Sequence, residues 1–349
     1  MNIITAAGSF LIVGATVGEA TREHSRFMVE ALVPEIVTER FHGDTAAMAE
    51  AIERLRRPAQ AFFPEAMEYM AGLARGTGID RSDLLAVLFA EDLNAVPAAP
   101  RPEKCSTMVV STDRGRVVGH NEDFWPSFLG RMAVLDLTFD GFPRTVSLNY
   151  PGHLPHLAGS LNEAGIAVTN NSLWPPATPG LSKQFKHFRA ALSRTMAEAQ
   201  DALCSGPQSL TDHYTVISDR EGVARSIEVS HALNSESDAE ARDIGDGPFC
   251  HTNSVLYLPL REPDPNPAAK CRRLAALQEL GRDRPPSSAQ EMFDLLCRPD
   301  GILNRGPGND LLGRPNSVTL ATVVMRPRTN EFWCRQYGLE DEYDARVVL

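Results

Sequence analysis

The chain has 349 residues, 43% of them apolar, 23% charged, with a formal net charge of −11. That length holds one large domain or two average ones with a sizeable core, and the acidic balance argues against a general nucleic-acid or anionic-membrane partner. No stretch approaches the ~20 uninterrupted apolar residues of a membrane span.

Residues 10–17 are apolar with no basic residue before them and a polar run directly after, so a signal peptide is not expected. They read as a core strand turning into a helix at Gly18. Residues 46–56 and 62–75 carry apolar residues at helical spacing. Gly76-Thr77-Gly78-Ile79 breaks that pattern, and Asp80 is placed to cap a further helix with Asp83 at its third position. Residues 96–102 hold three prolines in Val-Pro-Ala-Ala-Pro-Arg-Pro, an extended, exposed run that ends just before Cys105.

From Cys105 on, the texture is that of strands. Residues 108–111 and 116–119 flank a turn at 112–115; 132–139 and 144–148 flank another; and 161–165 forms a tight turn before 166–169. Residues 186–204 read as one helix with Phe188, Leu192, Met196 and Ala199 on a stripe. A hairpin is expected over 214–218 and 224–229, a polar surface loop over 234–246, helices over 270–280 and 289–297, and closing strands over 317–325 and 331–336. This order suits a layered α+β domain with antiparallel sheets between helices. The six cysteines are scattered without a CxxC pair, which predicts reduced thiols and a cytoplasmic setting.

The chemistry centres on Cys105, which opens one strand, with Asn121-Glu122-Asp123 closing the hairpin behind it. An N-terminal thiol carries its own base, an α-amine with pKa about 8. Cleavage at Lys104–Cys105 would create it: the thiol attacks the preceding carbonyl, an N–S shift gives a thioester, and water releases it. His120 and His251 flank these motifs, but no third or fourth ligand falls at metal spacing, so no metal is expected. A papain-like pairing of the cysteine with either histidine needs no cleavage. No phosphate-binding loop is present, since Arg305-Gly306-Pro307-Gly308 lacks the following Lys-Ser/Thr. Phe124-Trp125 and Trp174 are candidates to line a pocket.

Taken together, several motifs resemble the cysteine N-terminal-nucleophile hydrolases of the acyl-coenzyme A:6-aminopenicillanic acid acyltransferase type, with choloylglycine hydrolase and acid ceramidase as more distant relatives. They are Gly14-Ala15-Thr16-Val17-Gly18-Glu19, Ala74-Arg75-Gly76-Thr77-Gly78-Ile79 with Leu84-Leu85-Ala86-Val87, Cys105-Ser106-Thr107, and Asn121-Glu122-Asp123-Phe124. Asn162-Glu163-Ala164-Gly165 with Asn171, His251-Thr252-Asn253 and Ser317-Val318-Thr319-Leu320 follow in order.

The resemblance implies a four-layer αββα fold. An α fragment, residues 1–104, would be released by autocleavage yet stay associated with a β fragment, residues 105–349, the two making one domain. It implies that Cys105 is the nucleophile, that Asp123 holds the new amine, and that Asn253, with Asn171 as a second donor, steadies the oxyanion. Asn121 and Ser317 fall near the expected pocket. The implied reaction is hydrolysis of a small N-acyl amide through a thioester, without a cofactor. The alternatives are a coenzyme A-dependent N-acyltransferase and a fold relative that never matures and only binds. Assembly of αβ units into homo-oligomers is left open.

Three positions depart from the family's pattern. Lys104 stands where glycine is usual and predicts slower cleavage, Phe89-Ala90-Glu91-Asp92-Leu93 replaces an Ala-Arg-Thr-Glu-like run, and Ser254 follows the late asparagine in place of histidine.

Overall fold

The computed structural model describes residues 3–93, 105–124, 126–173, 180–206, 208–231, 235–264, 267–298, 302–303, 317–338 and 341–349. Lys104, Trp125, Trp174 and the proline-rich run 96–102 lie outside the described residues.

The first segment is β1 (Ile3–Gly8), α1 (Phe10–Ala20), α2 (Arg22–Glu35), α3 (Thr45–Phe62), α4 (Pro64–Thr77), α5 (Arg81–Leu88) and α6 (Ala90–Leu93). Residues 10–17, expected as a strand, are helix. Ser9 caps α1 by accepting the N–H of Ile12 at 3.4 Å, and the glycines of this run face α4. A Cβ at Gly14 would lie 2.2 Å from the Tyr69 carbonyl oxygen, and one at Gly72 would lie 2.1 Å from that of Leu11. The two backbones touch, which only residues without a side chain permit. Alternation was never the organising pattern here; helix-to-helix contact was. The Asp80 cap is as expected: its carboxylate takes the N–H of Ser82 at 3.0 Å.

The rest of the chain adds β2 (Ser106–Thr112), β3 (Gly115–Phe124), β4 (Ala133–Phe139), β5 (Thr145–Asn149), β6 (Ser160–Asn162), β7 (Ile166–Ser172), α7 (Lys183–Ala191), α8 (Met196–Cys204), β8 (Asp212–Ser218), β9 (Val223–Val229), β10 (Ala239–Asp243), β11 (Phe249–His251), α9 (Arg272–Asp283), α10 (Ala289–Leu296), β12 (Val318–Arg326), β13 (Glu331–Tyr337) and β14 (Glu342–Val348).

Among the described residues these strands form an eight-stranded sheet, β1-β4-β5-β6-β7-β8-β9-β10, and a six-stranded sheet, β11-β2-β3-β12-β13-β14. The β1–β4 pair is parallel, and it joins the first segment to a strand that follows Cys105.

Two expectations are corrected. Residues 186–204 are two helices, because Asn162 Nδ2 donates to the carbonyls of Ala191 (2.9 Å) and Ser193 (2.7 Å) and so closes α7. Thr195 then caps α8 by accepting the N–H of Glu198. The expected loop over 234–246 contains β10, an edge strand whose polar sequence suits its exposure.

Strand alternation sorts the core into layers. Val109, Val118 and Val323 face inward from the six-stranded sheet, while Val134, Val146, Leu161 and Ala167 face inward from the other. Met108, Val110, Val117 and Val324 face out, under Leu274 and Leu277 of α9 and Met292 and Leu296 of α10. Ile166 and Val168 pack outward against Met196 and Ala199 of α8, and Phe10 of α1 stacks on Phe139 of β4. The result is the expected four-layer αββα arrangement. Among the described residues no helix is long and apolar enough to cross a membrane.

Candidate active site

Cys105 stands at the head of β2, 3% exposed. The β2–β3 register sets Ser106 opposite Asn121 and Thr107 opposite His120, so Cys105, Thr107, His120 and Glu122 point into the space between the sheets. Ser106, Asn121 and Asp123 point the other way, toward α9 and α10. One short motif thus serves two layers.

On the inner side, Cys105 Sγ lies 3.6 Å from Glu122 Oε2. The same oxygen lies 3.1 Å from His120 Nε2, and Tyr150 donates its hydroxyl to Glu122 Oε1 at 2.8 Å. Burial, followed by the charges of Glu122 and Cys105, holds the Tyr150 phenol well above its ordinary range, so it stays a donor. Thr107 spends its one proton on Asn171 Oδ1 at 2.8 Å. The 2.9 Å contact of its oxygen with His120 Nδ1 is therefore a bond donated by the imidazole.

Asn171 Oδ1 also accepts from His213 Nδ1 at 3.2 Å, and the His213 ring stacks on that of His251 at 3.5 Å. Burial, then the neighbouring His251 and His120, push His213 well below its ordinary pKa and keep it neutral. The amide nitrogen of Asn171 is buried with no hydrogen-bond partner among the described residues, a state that costs on the order of 1–3 kcal/mol in a finished protein.

On the outer side, Arg273 of α9 sets Nη1 2.5 Å from Asp123 Oδ2 and Nη2 3.0 Å from Asn253 Oδ1. With its oxygen taken by a guanidinium, Asn253 turns its nitrogen to the Ser172 carbonyl at 2.9 Å. The loop that carries Asn253 is pinned by Glu228, whose carboxylate accepts from Leu256, Tyr257 and Leu258 backbone N–H groups at 2.7–3.1 Å and meets His251 Nε2 at 3.0 Å. Burial alone would raise the Glu228 pKa; these bonds, His251 first, outweigh it and hold it low.

Lys183 grips the neighbouring Ser172 Oγ at 2.7 Å, with Glu91 at 2.6 Å and Asp212 at 3.4 Å. Burial would lower its pKa, but the Asp212 and Glu91 carboxylates keep it raised and charged.

The predicted residues therefore divide. Cys105, Asn171 and Phe124 share the inner side. Phe124 stacks on Phe128 at 5.3 Å and meets the edge of Tyr150 at 5.7 Å. Asp123 and Asn253 meet through Arg273 on the outer side. Ser317 is buried immediately before β12.

Asn121 is corrected: it does not face the thiol but bonds the Leu296 carbonyl of α10 at 3.0 Å and accepts from Thr322 at 2.7 Å, because odd and even positions of β3 look to opposite layers. Pairing across the strands brings ligand atoms of Cys105, His120 and Glu122 within 4.8 Å of one another. Sequence reading missed Glu122, Tyr150, Thr107, Arg273, Glu228 and Lys183. The signal for Glu122 was the interleaved His120-x-Glu122 inside the noticed Asn121-x-Asp123. Arg273 and Glu228 carried none, being remote in sequence.

A surface hollow lined by Pro143, Glu163, Arg194, Arg220 and Asn330 lies at the turn end of the sheets, the opposite end of β2 from Cys105. It has no part in this arrangement.

A family model described as acyl-coenzyme A:6-aminopenicillanic acid acyl-transferase matches residues 110–335. Among curated proteins, a beta-alanyl-dopamine/carcinine hydrolase of Drosophila melanogaster is 23% identical over 259 residues, 67% of this chain and 66% of that protein. The chain thus spans just under two thirds of that relative's length. Among solved structures, a mutant conjugated bile acid hydrolase from Clostridium perfringens superposes with a TM-score of 0.48 at 12% identity, covering 69% of this chain and 92% of the other. A penicillin V acylase from Agrobacterium tumefaciens does so with a TM-score of 0.42 at 11% identity, covering 70% and 86%.

Proposed function

Because the chain belongs to the acyl-coenzyme A:6-aminopenicillanic acid acyl-transferase family, we propose that it is an autoprocessing amidohydrolase with Cys105 as nucleophile. The observation that carries this reading is the placement on facing strands of the Cys105 thiol and the Asn171 amide nitrogen, which has no hydrogen-bond partner among the described residues, linked through Thr107 two residues along the same face.

Maturation comes first. Cys105 Sγ attacks the Lys104 carbonyl, the acyl group moves from nitrogen to sulfur, and water hydrolyses the thioester to free the α-amine of Cys105. That amine, with pKa about 8, then takes the thiol's proton when substrate arrives. The thiolate adds to the carbonyl of a small N-acyl amide. Negative charge moves to the carbonyl oxygen, where the donors are Asn171, held through its Oδ1 by Thr107 and His213, and the second N–H of Asn253, whose first goes to the Ser172 carbonyl. Asp123, held by Arg273 on the outer face of β3, meets the freed amine from the backbone side of Cys105, away from the thiol. Collapse expels the protonated amine product, and water resolves the acyl-enzyme.

The beta-alanyl-dopamine/carcinine hydrolase among the similar proteins supports water as the acceptor. The family's own description favours a second reading, in which a coenzyme A thioester donates the acyl group and an amine accepts it.

Intact mass and N-terminal sequencing of the purified protein test the proposal. Two fragments, the larger beginning Cys105-Ser106-Thr107, are expected, with one uncut chain in Cys105→Ala and faster cutting in Lys104→Gly. An unmodified chain that stays whole yet turns over substrate overturns it.

A further inference from the structure

We propose that Cys105 Sγ, His120 Nε2 and Glu122 Oε2 form a binding site for a divalent cation of the Zn²⁺ class, which reversibly blocks the thiol. The spacing of the donors argues for it. With bonds of about 2.3 Å to sulfur, 2.0–2.1 Å to nitrogen and 2.0–2.2 Å to oxygen, a tetrahedral zinc centre sets sulfur and oxygen roughly 3.6 Å apart and nitrogen and oxygen roughly 3.3 Å apart. The protein holds Sγ and Oε2 at 3.6 Å, and Nε2 and Oε2 at 3.1 Å, with all three donors within 4.8 Å of one another.

The surrounding bonds set each donor for this role. His120 gives its Nδ1 proton to Thr107 at 2.9 Å, so in the neutral ring the Nε2 lone pair faces the Glu122 carboxylate. Two acceptors facing at 3.1 Å require a positive particle between them, a proton or a metal ion. Tyr150 holds the other carboxylate oxygen at 2.8 Å. An imidazole and a carboxylate each tied from behind is the outer-shell pattern that raises the affinity of zinc sites.

Binding is not redox. The thiol proton leaves to solvent, the sulfur lone pair bonds to the cation, and the fourth position takes water. The site stands on its own geometry; the blocking of turnover rests on Cys105 being the nucleophile.

Cobalt(II) titration of the full, reduced chain is the test, because a bound thiolate gives a near-ultraviolet charge-transfer band and a tetrahedral site gives visible bands, both read without turnover. One cobalt per chain is expected, displaced by Zn²⁺, with no thiolate band in Cys105→Ser. Affinity should fall about 10–100-fold in Tyr150→Phe, which keeps every ligand, and at least as far in Glu122→Gln. Absence of the band in the unmodified chain, or its survival in Cys105→Ser, overturns the site. A zinc-loaded chain that turns over as fast as a chelator-treated one, with the band present, overturns the blocking and leaves the site standing.

Discussion

Arg273 binds Asp123 across 150 positions of sequence, Nη1 to Oδ2 at 2.5 Å, and so ties α9 to the outer face of β3. Both groups are at least nine-tenths buried. Removing one partner of a buried pair leaves the other charge stranded, at a cost of about 3–5 kcal/mol. Arg273→Met should therefore lower the unfolding free energy obtained from urea titration by an amount in that range. Arg273→Lys keeps the charge but loses the second arm to Asn253, so it should slow turnover with a smaller stability loss.

The two amide donors separate by what else they do. Asn253→Ala and Asn171→Ala should each lower kcat about 10²–10³-fold, the usual effect of losing an oxyanion donor. Single-turnover kinetics on a chromogenic amide would read this. Unchanged kcat in either variant removes that residue from the role.

Asp92 makes stability depend on pH. It is buried and accepts a hydrogen bond from Ser209, and burial pushes its carboxyl up to about 6, above its ordinary value of 3.8. A raised folded pKa means the folded chain holds the proton more tightly. That contribution is full below the unfolded value near 3.8 and is lost as pH rises through about 6. Asp92→Asn should match the parent at pH 4 and exceed it by on the order of 1–3 kcal/mol at pH 8. Urea titrations at the two pH values check it, and a constant difference would contradict it.

Contact between α1 and α4 leaves no room for a methyl group. Gly72→Ala, whose Cβ would meet the Leu11 carbonyl oxygen at 2.1 Å, should cost about 1–3 kcal/mol or more. Gly245→Ala, with nothing within 4 Å of its Cβ, should stay within about 0.5 kcal/mol. Thermal melts of the pair compare the two.

The layer order and most hairpins were legible because period-two alternation and turn residues mark strands locally, as at Gly165 between β6 and β7. The helix over 10–17 was not, since an apolar run of that length suits strand and helix alike and only α4 decides. The α7–α8 break depended on Asn162, some 30 residues away. In the site, Cys105, Asp123, Asn171 and Asn253 stood out as residue types, but which face each looked to is a matter of register. That is why Asn121 was grouped with the thiol and Glu122 was passed over. Arg273, which joins Asp123 to Asn253, is visible only in three dimensions.

The parallel pairing of β1 with β4, Ile3 against Val134 through Gly8 against Phe139, has a kinetic consequence for a chain cut after Lys104. The shorter piece would then be a strand donor, completing a sheet that belongs mostly to the longer one. Pulling it away would bare the backbone edge of β4, a template for aggregation. Separation of the pieces would thus amount to partial unfolding rather than dissociation, and the longer piece made alone should precipitate rather than wait for its partner.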